Sequence, residues 1–276
     1  MDTMTAATTQ YLDRPEGRLA FDVHGVVGDG PVLVAVPGLG DLRQTYRHVV
    51  PQLLDAGITV VTLDLRGHGE SDSSFTEFDD EALASDIVAL IDHLDRPVLV
   101  MGNSMAAGAS VIASAERPSA IQGLVLVGPF VRNRAMPFGM AMMFRVALWR
   151  PWGRSVWRRF HRRMFVTQVP SDYDAYASRL MDSLGRPAAW TALQRTARTS
   201  HAPAEARIDD VRAPTLVIMG TDDPDFPTPT EEAEWIAGRL DAQLELVVGA
   251  GHYPHAEFPE LVGPRVVEFA HGLARA

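Results

Sequence analysis

The sequence predicts an α/β protein: a mostly parallel β-sheet of the doubly covered kind, with a helical subdomain inserted between its strands. Three observations carry this. Short, wholly apolar runs recur along the 276 residues and alternate with stretches of helical periodicity. Strands buried on both faces read as continuous apolar runs, and their alternation with helices is the pattern of a parallel sheet with helices on either side. Finally, one long stretch, 130–212, breaks the alternation and contains no strand-like run.

The elements follow in order. Gly17 to His24 alternates loosely and is read as an early strand; Val32 to Val36 is the first apolar run and stops at Pro37-Gly38-Leu39-Gly40. Thr45 to Ala56 has helical spacing and ends at Gly57. Ile58 to Leu63 is the next strand, and Asp80 to Leu94 a helix whose stripe is Leu83, Ile87, Leu90, Ile91 and Leu94. Val98 to Met101 is a strand and Ala106 begins a helix; Ile121 to Val127 is a strand ending at Gly128-Pro129. Thr215 to Met219 and Leu244 to Val248 are the last strands, with helices over about Thr230 to Leu240 and Pro259 to Leu273. Core segments 1–129 and 213–276 therefore flank an insertion at 130–212.

Composition narrows the function. A formal net charge of −10 argues against a nucleic-acid partner. With no cysteine there is neither a disulfide framework nor a thiolate metal site. The polar start, Met1 to Gln10, lacks a secretory pattern. No apolar stretch approaches the ~18 residues of a membrane span, so a cytoplasmic protein is expected. Every basic residue is arginine, and fifteen of the 25 lie in 130–212 against six acidic residues there.

The chemistry concentrates where strands end, which is where open α/β sheets bind ligands. Ser104 stands between the run Val98 to Met101 and the helix from Ala106, with Gly102 two residues before it. A serine on such a sharp strand-to-helix turn is lifted clear of the sheet. Alanine replaces the usual glycine at position 106; a serine N-cap is the plainer alternative. Gly220-Thr221-Asp222-Asp223-Pro224-Asp225-Phe226-Pro227 follows the strand Thr215 to Met219, and Gly249-Ala250-Gly251-His252-Tyr253-Pro254-His255 follows Leu244 to Val248.

This order of serine, acid and histidine, each after a strand, resembles the α/β-hydrolase superfamily, in particular its serine-nucleophile esterases with a helical cap. Asp64-Leu65-Arg66-Gly67-His68-Gly69-Glu70-Ser71 resembles a loop that many members carry beside the site. The resemblance implies Ser104 as nucleophile, His252 as base and Asp223 as the acid that orients it, Asp223 by its spacing from Gly220 and Pro227. It implies an oxyanion hole made by the backbone N–H groups of Leu39 and Met105. Asp222 and Asp225 remain competing candidates for the acid, otherwise read as loop carboxylates, solvated or capping the next helix; His255 competes for the base and is otherwise a rim or structural residue.

No ligand spacing suggests a metal and no glycine-rich fingerprint a dinucleotide, so neither cofactor nor metal is expected. The cap's Phe138, Met140, Met142 and Phe144, with Phe130 and Tyr253, are expected to line an apolar pocket over Ser104. The stretch Arg150 to Arg163 carries Trp152, Trp157 and Phe160 among its arginines. It is read as a cap helix that buries its aromatics and solvates its arginines and His161, in preference to a helix lying on a membrane surface. The leading functional expectation is hydrolysis of a hydrophobic, small to medium carboxylic ester. The same residues would serve a thioesterase, lactonase, C–C hydrolase or cofactor-free perhydrolase; a ligand sensor on a retained hydrolase fold is the alternative of another class.

Overall fold

The computed structural model describes residues 8–28, 30–133, 138–149 and 151–273, apart from the side chains of 138, 140 and 141. Eight strands form one sheet: β1 (Thr9–Arg14), β2 (Gly17–His24), β3 (Val32–Val36), β4 (Thr59–Leu63), β5 (Val98–Asn103), β6 (Ile121–Val127), β7 (Thr215–Gly220) and β8 (Gln243–Val247). Their order is β1-β2-β4-β3-β5-β6-β7-β8. The β1–β2 and β2–β4 pairs are antiparallel; from β4 to β8 every pair is parallel.

The apolar runs are continuous because their side chains alternate between two cores. In β3, Val32, Val34 and Val36 join one cluster while Leu33 and Ala35 join the other. The first face is covered by α2 (Asp80–Leu94), α3 (Met105–Glu116) and later α9 (Pro229–Leu240). The second is covered by α1 (Val50–Asp55) and α11 (Pro259–Leu273), the latter following the single-turn α10 (Pro254–Glu257). The helix expected over Thr45 to Ala56 is instead a 3-10 turn, Arg43–His48, followed by α1. Pro51 lacks the N–H that would continue a single helix.

Between β6 and β7 lie α4 (Phe138–Ala147), α5 (Gly153–Arg163), α6 (Tyr173–Gly185), α7 (Pro187–Thr196) and α8 (Ala202–Arg207), with no strand among the described residues. This stretch has its own core, Leu148, Trp157, Tyr176, Leu180, Leu184, Trp190 and Leu193, which closes on Leu42. A smaller cluster joins Met164, Phe165 and Tyr173 to Tyr253 and Ala256. Both seams meet the sheet at the loops after β3 and β8, so the helices bear on the segments singled out in the sequence. No described helix is long and apolar enough to cross a membrane.

Candidate active site

Ser104 joins β5 to α3 with φ 59° and ψ −125°. Two other described non-glycine residues have positive φ, Asp95 and Asp241. Both are helix C-caps in the ordinary left-handed well, with ψ 42° and 43°, which aspartate tolerates. Ser104 lies outside that well, so its backbone is strained, and strain of this kind concentrates at functional sites. Hydrogen bonds hold it there: its N–H donates to Val127 O at 2.9 Å, and its carbonyl accepts from Ala107 N at 3.0 Å and Phe130 N at 3.2 Å. Its side chain makes no cap hydrogen bond, which removes the N-cap alternative. Ala106 fits the turn fully buried.

The loop after β3 presses on the serine. A Cβ on Gly38 would stand 2.8 Å from Ser104 Cβ, so only glycine allows this approach. Leu39 follows it, part-buried. The loop is anchored from two sides. Gly40 N–H donates to His68 Nε2 at 3.2 Å, while His68 Nδ1 lies 2.8 Å from Arg66 O as donor, leaving Nε2 to accept. From the helical segment, Trp157 Nε1–H donates to Gly40 O at 3.2 Å. Tyr176 Oη donates to Asp41 Oδ1, which also accepts Leu42 N–H at 2.9 Å.

His252 Nδ1–H donates to Asp223 Oδ2 at 2.7 Å, both side chains being buried. The two loops can touch because position 220 is glycine: a Cβ there would collide with the carbonyl oxygens of Ala250 and Gly251. Asn103, the residue before Ser104, donates from Nδ2 to His252 O at 3.3 Å and to Val127 O at 3.0 Å. Met164, just past α5, accepts His252 N–H at 2.9 Å. Glu257 braces the same loop: Oε2 accepts Gly251 N–H at 2.8 Å, and Oε1 accepts the N–H groups of Val166, Thr167 and Gln168. Burial disfavours the charged imidazole of His252, but the charge and hydrogen bond of Asp223, helped by Asp225, push its pKa up to about 9. His255 differs: burial drives its pKa down to about 3, and it stacks on Tyr46 with Nε2 3.3 Å from Thr45 Oγ1. It is a neutral structural residue.

Several sequence expectations need correction. Asp225 is part-buried and no cap; its Oδ2 lies 3.8 Å from His252 Nε2, the nitrogen opposite Asp223, and Thr228 precedes α9 without a side-chain cap. Burial, with the Asp223 charge, raises its pKa against the opposing pull of His252. His161 is not solvated: it is 1 % exposed, with Nδ1 3.2 Å from Tyr173 Oη and Nε2 3.7 Å from Asp41 Oδ1. Helix periodicity explains it, since Trp157, His161 and Met164 fall on one face of the α5 turn. The aromatics of this stretch divide: Trp157 is buried and Trp152 is 45 % exposed.

Of the expected pocket residues, Phe130 and Tyr253 flank the imidazole, with ring centroids 5.9 and 5.3 Å from that of His252. Phe226, not singled out in the sequence, stacks on Phe130 at 4.6 Å. Phe144 packs against Phe160 within the helical segment, at 6.4 Å. Met142 is exposed, on the helical face away from that contact. Phe138 and Met140 belong to α4, but their side chains lie outside the described residues. Asp223, Asp225 and His252 offer ligand atoms within 4.8 Å of one another. The engagement of Asp223 with Nδ1–H suits proton transfer better than cation binding.

Residues 33–264 match the sequence model of the Alpha/beta hydrolase family. The chain belongs to this family. A relative named 2-(acetamidomethylene)succinate hydrolase, from Mesorhizobium japonicum, is 25% identical over 266 residues, covering 92% of this chain and 92% of the relative. The 2-hydroxy-6-oxononadienedioate/2-hydroxy-6-oxononatrienedioate hydrolase of Paraburkholderia xenovorans is 26% identical over 282 residues, covering 96% of each. Among solved structures, a bromoperoxidase from Bacillus anthracis superposes with TM-score 0.82 at 18% identity, covering 96% of this chain and 99% of the other. The two hydrolase relatives support hydrolase activity, and the solved structure supports the fold.

Proposed function

We propose that this alpha/beta hydrolase is a serine esterase of the carboxylesterase kind, acting on uncharged, hydrophobic, small to medium carboxylic esters. The observation that carries the reading is the strained Ser104 backbone, whose neighbour Asn103 bonds the main chain of a histidine that itself donates Nδ1–H to a buried carboxylate. A serine hydroxyl is a weak nucleophile until a base removes its proton. In the proposed cycle His252 Nε2 takes that proton as Oγ attacks the ester carbonyl. The tetrahedral oxyanion is held by the N–H groups of Leu39 and Met105. His252 then protonates the departing alcohol, leaving an acyl-serine. Water, deprotonated by the same nitrogen, releases the acid and restores the serine. Asp223 keeps the imidazole in the productive tautomer and stabilises its charged form.

The helices of 130–212 act as a cap in this reading. Phe130, Phe226 and Tyr253 give the imidazole apolar neighbours, which favours hydrophobic substrates. The Asp225 carboxylate on the Nε2 side disfavours anionic groups near the leaving alcohol. The test is a panel of p-nitrophenyl esters, thioesters, lactones and β-diketones, assayed with and without a chelator. Fastest turnover is expected on apolar esters and unchanged by chelation. Turnover of a β-diketone with none of any ester would replace the esterase reading with a C–C hydrolase, and a chelator-sensitive rate would reject a mechanism without metal.

A further inference from the structure

Six of the twelve large apolar side chains exposed among the described residues lie within positions 142–156: Met142, Met143, Val146, Trp149, Trp152 and Val156. They form a continuous ridge. Met142 and Val146 are one helical turn apart on α4. Trp152 Nε1–H donates to Val146 O at 2.9 Å, and its ring meets that of Trp149 edge-on at 6.1 Å. Val156 follows Trp152 by one turn. Met143 and Trp149 are the most open, at 66 % and 62 %. Contiguous exposed apolar surface of this kind marks an interaction site.

The ridge runs into a basic face. The inward side of α5 is taken by Trp157 and His161; its outward side carries Arg158, Arg159, Arg162 and Arg163, all exposed. Among the described residues the one carboxylate that pairs with these four is Asp174, 3.9 Å from Arg158 and itself 95 % exposed. The wider distribution reinforces this. Stretch 130–212 holds fifteen arginines and six acids, whereas the rest of the chain holds ten arginines and twenty-nine acids. The molecule is a strong dipole with the ridge at its positive end.

We infer that α4 and the outward face of α5 dock on an anionic lipid bilayer. A bilayer offers an apolar layer for the ridge, an interfacial zone suited to indole rings, and anionic headgroups for the arginines. A second copy of the chain suits the surface less well, because a two-fold contact would set the same arginine-rich face against itself. The inward side of α5 meets the catalytic loops at Gly40 O and, through Met164, at His252 N. Docking therefore holds those loops against the membrane side of the molecule. It does not depend on which bond the site cleaves.

The experiment is flotation of the full chain with vesicles of phosphatidylcholine and phosphatidylglycerol in equal parts, and with phosphatidylcholine alone, at low and high salt. Tryptophan emission is read in parallel. Flotation with the mixed vesicles, a blue shift, and loss of both at high salt are expected. Each arginine replaced among Arg158→Gln, Arg159→Gln, Arg162→Gln and Arg163→Gln should weaken partition about fivefold. Trp149→Ser with Trp152→Ser should abolish the blue shift, and turnover of a water-soluble ester should stay unchanged in all variants. No flotation, equal flotation with phosphatidylcholine alone, or a quadruple arginine variant that floats like the parent would overturn the inference. So would a dimer in solution that the tryptophan substitutions dissociate, which would assign the ridge to a second copy.

Discussion

The two sides of the site are held by different means. On the sheet side, Ser104, His252 and Asp223 are placed by backbone: strand ends in register, main-chain hydrogen bonds, and glycines that let loops touch. On the helical side, the loop after β3 is held by side chains that reach in, Trp157 to Gly40 and Tyr176 to Asp41. The first kind of support tolerates no extra atom. The second tolerates substitution but sets how firmly the loop after β3 is fixed. Changes on the sheet side should therefore abolish turnover, and changes on the helical side should tune it.

The largest effects belong to the sheet side. Asp223→Asn should lower kcat about 10⁴-fold by favouring the wrong imidazole tautomer, and His252→Ala should be at least as severe, with thermal midpoints close to the parent. A kcat within tenfold of the parent for Asp223→Asn would break the comparison on its stronger side. Gly38→Ala comes next. The added methyl would stand 2.8 Å from Ser104 Cβ, so the backbone must shift, and a misplacement of about 1 Å near reacting atoms costs about a hundredfold in kcat/KM.

The sequence made the sheet side legible for a physical reason. A strand buried on both faces must be apolar throughout, and the loop at its end must carry what the chemistry needs. Gly102, Ser104, Gly220, Asp223 and His252 could all be read in one dimension. The helical side could not. Whether His161 is solvated, or Met142 lines a pocket, depends on how α4 and α5 are rotated about their axes, and a helix with arginines on most of its turns does not announce its inner face. The approach of Asp225 to the imidazole is illegible for a similar reason: the turn after Pro224 brings its carboxylate back to His252 Nε2. β1 left no mark because Leu12 is its one buried residue. Edge strands with one wet face carry too little apolar signal to be told from a polar tail.

On the helical side, Trp157→Phe keeps the ring packing and removes the N–H that Gly40 O accepts. We expect kcat to fall about tenfold with KM little changed, and a trifluoromethyl ketone, which forms the tetrahedral adduct, to bind weaker by the same factor. A fall in thermal midpoint with kcat intact would make Trp157 a packing residue only. The smallest change is Asp225→Asn. A base must be neutral, so with the His252 pKa at about 9, kcat/KM should climb with pH toward that value. Removing the Asp225 charge destabilises the imidazolium and should move the alkaline limb to lower pH, with a few-fold gain in rate near neutrality. A limb that stays in place would show that the 3.8 Å approach has no electrostatic effect.

The central claim is that Ser104 is an activated nucleophile, and covalent labelling tests it most directly. The parent chain and Ser104→Ala are each treated with an uncharged alkyl fluorophosphonate and analysed by intact mass and peptide fragmentation. A single adduct is expected on the parent, located at Ser104, and none on the alanine variant. Equal labelling of both chains, or a parent that hydrolyses esters while remaining unlabelled, would contradict it.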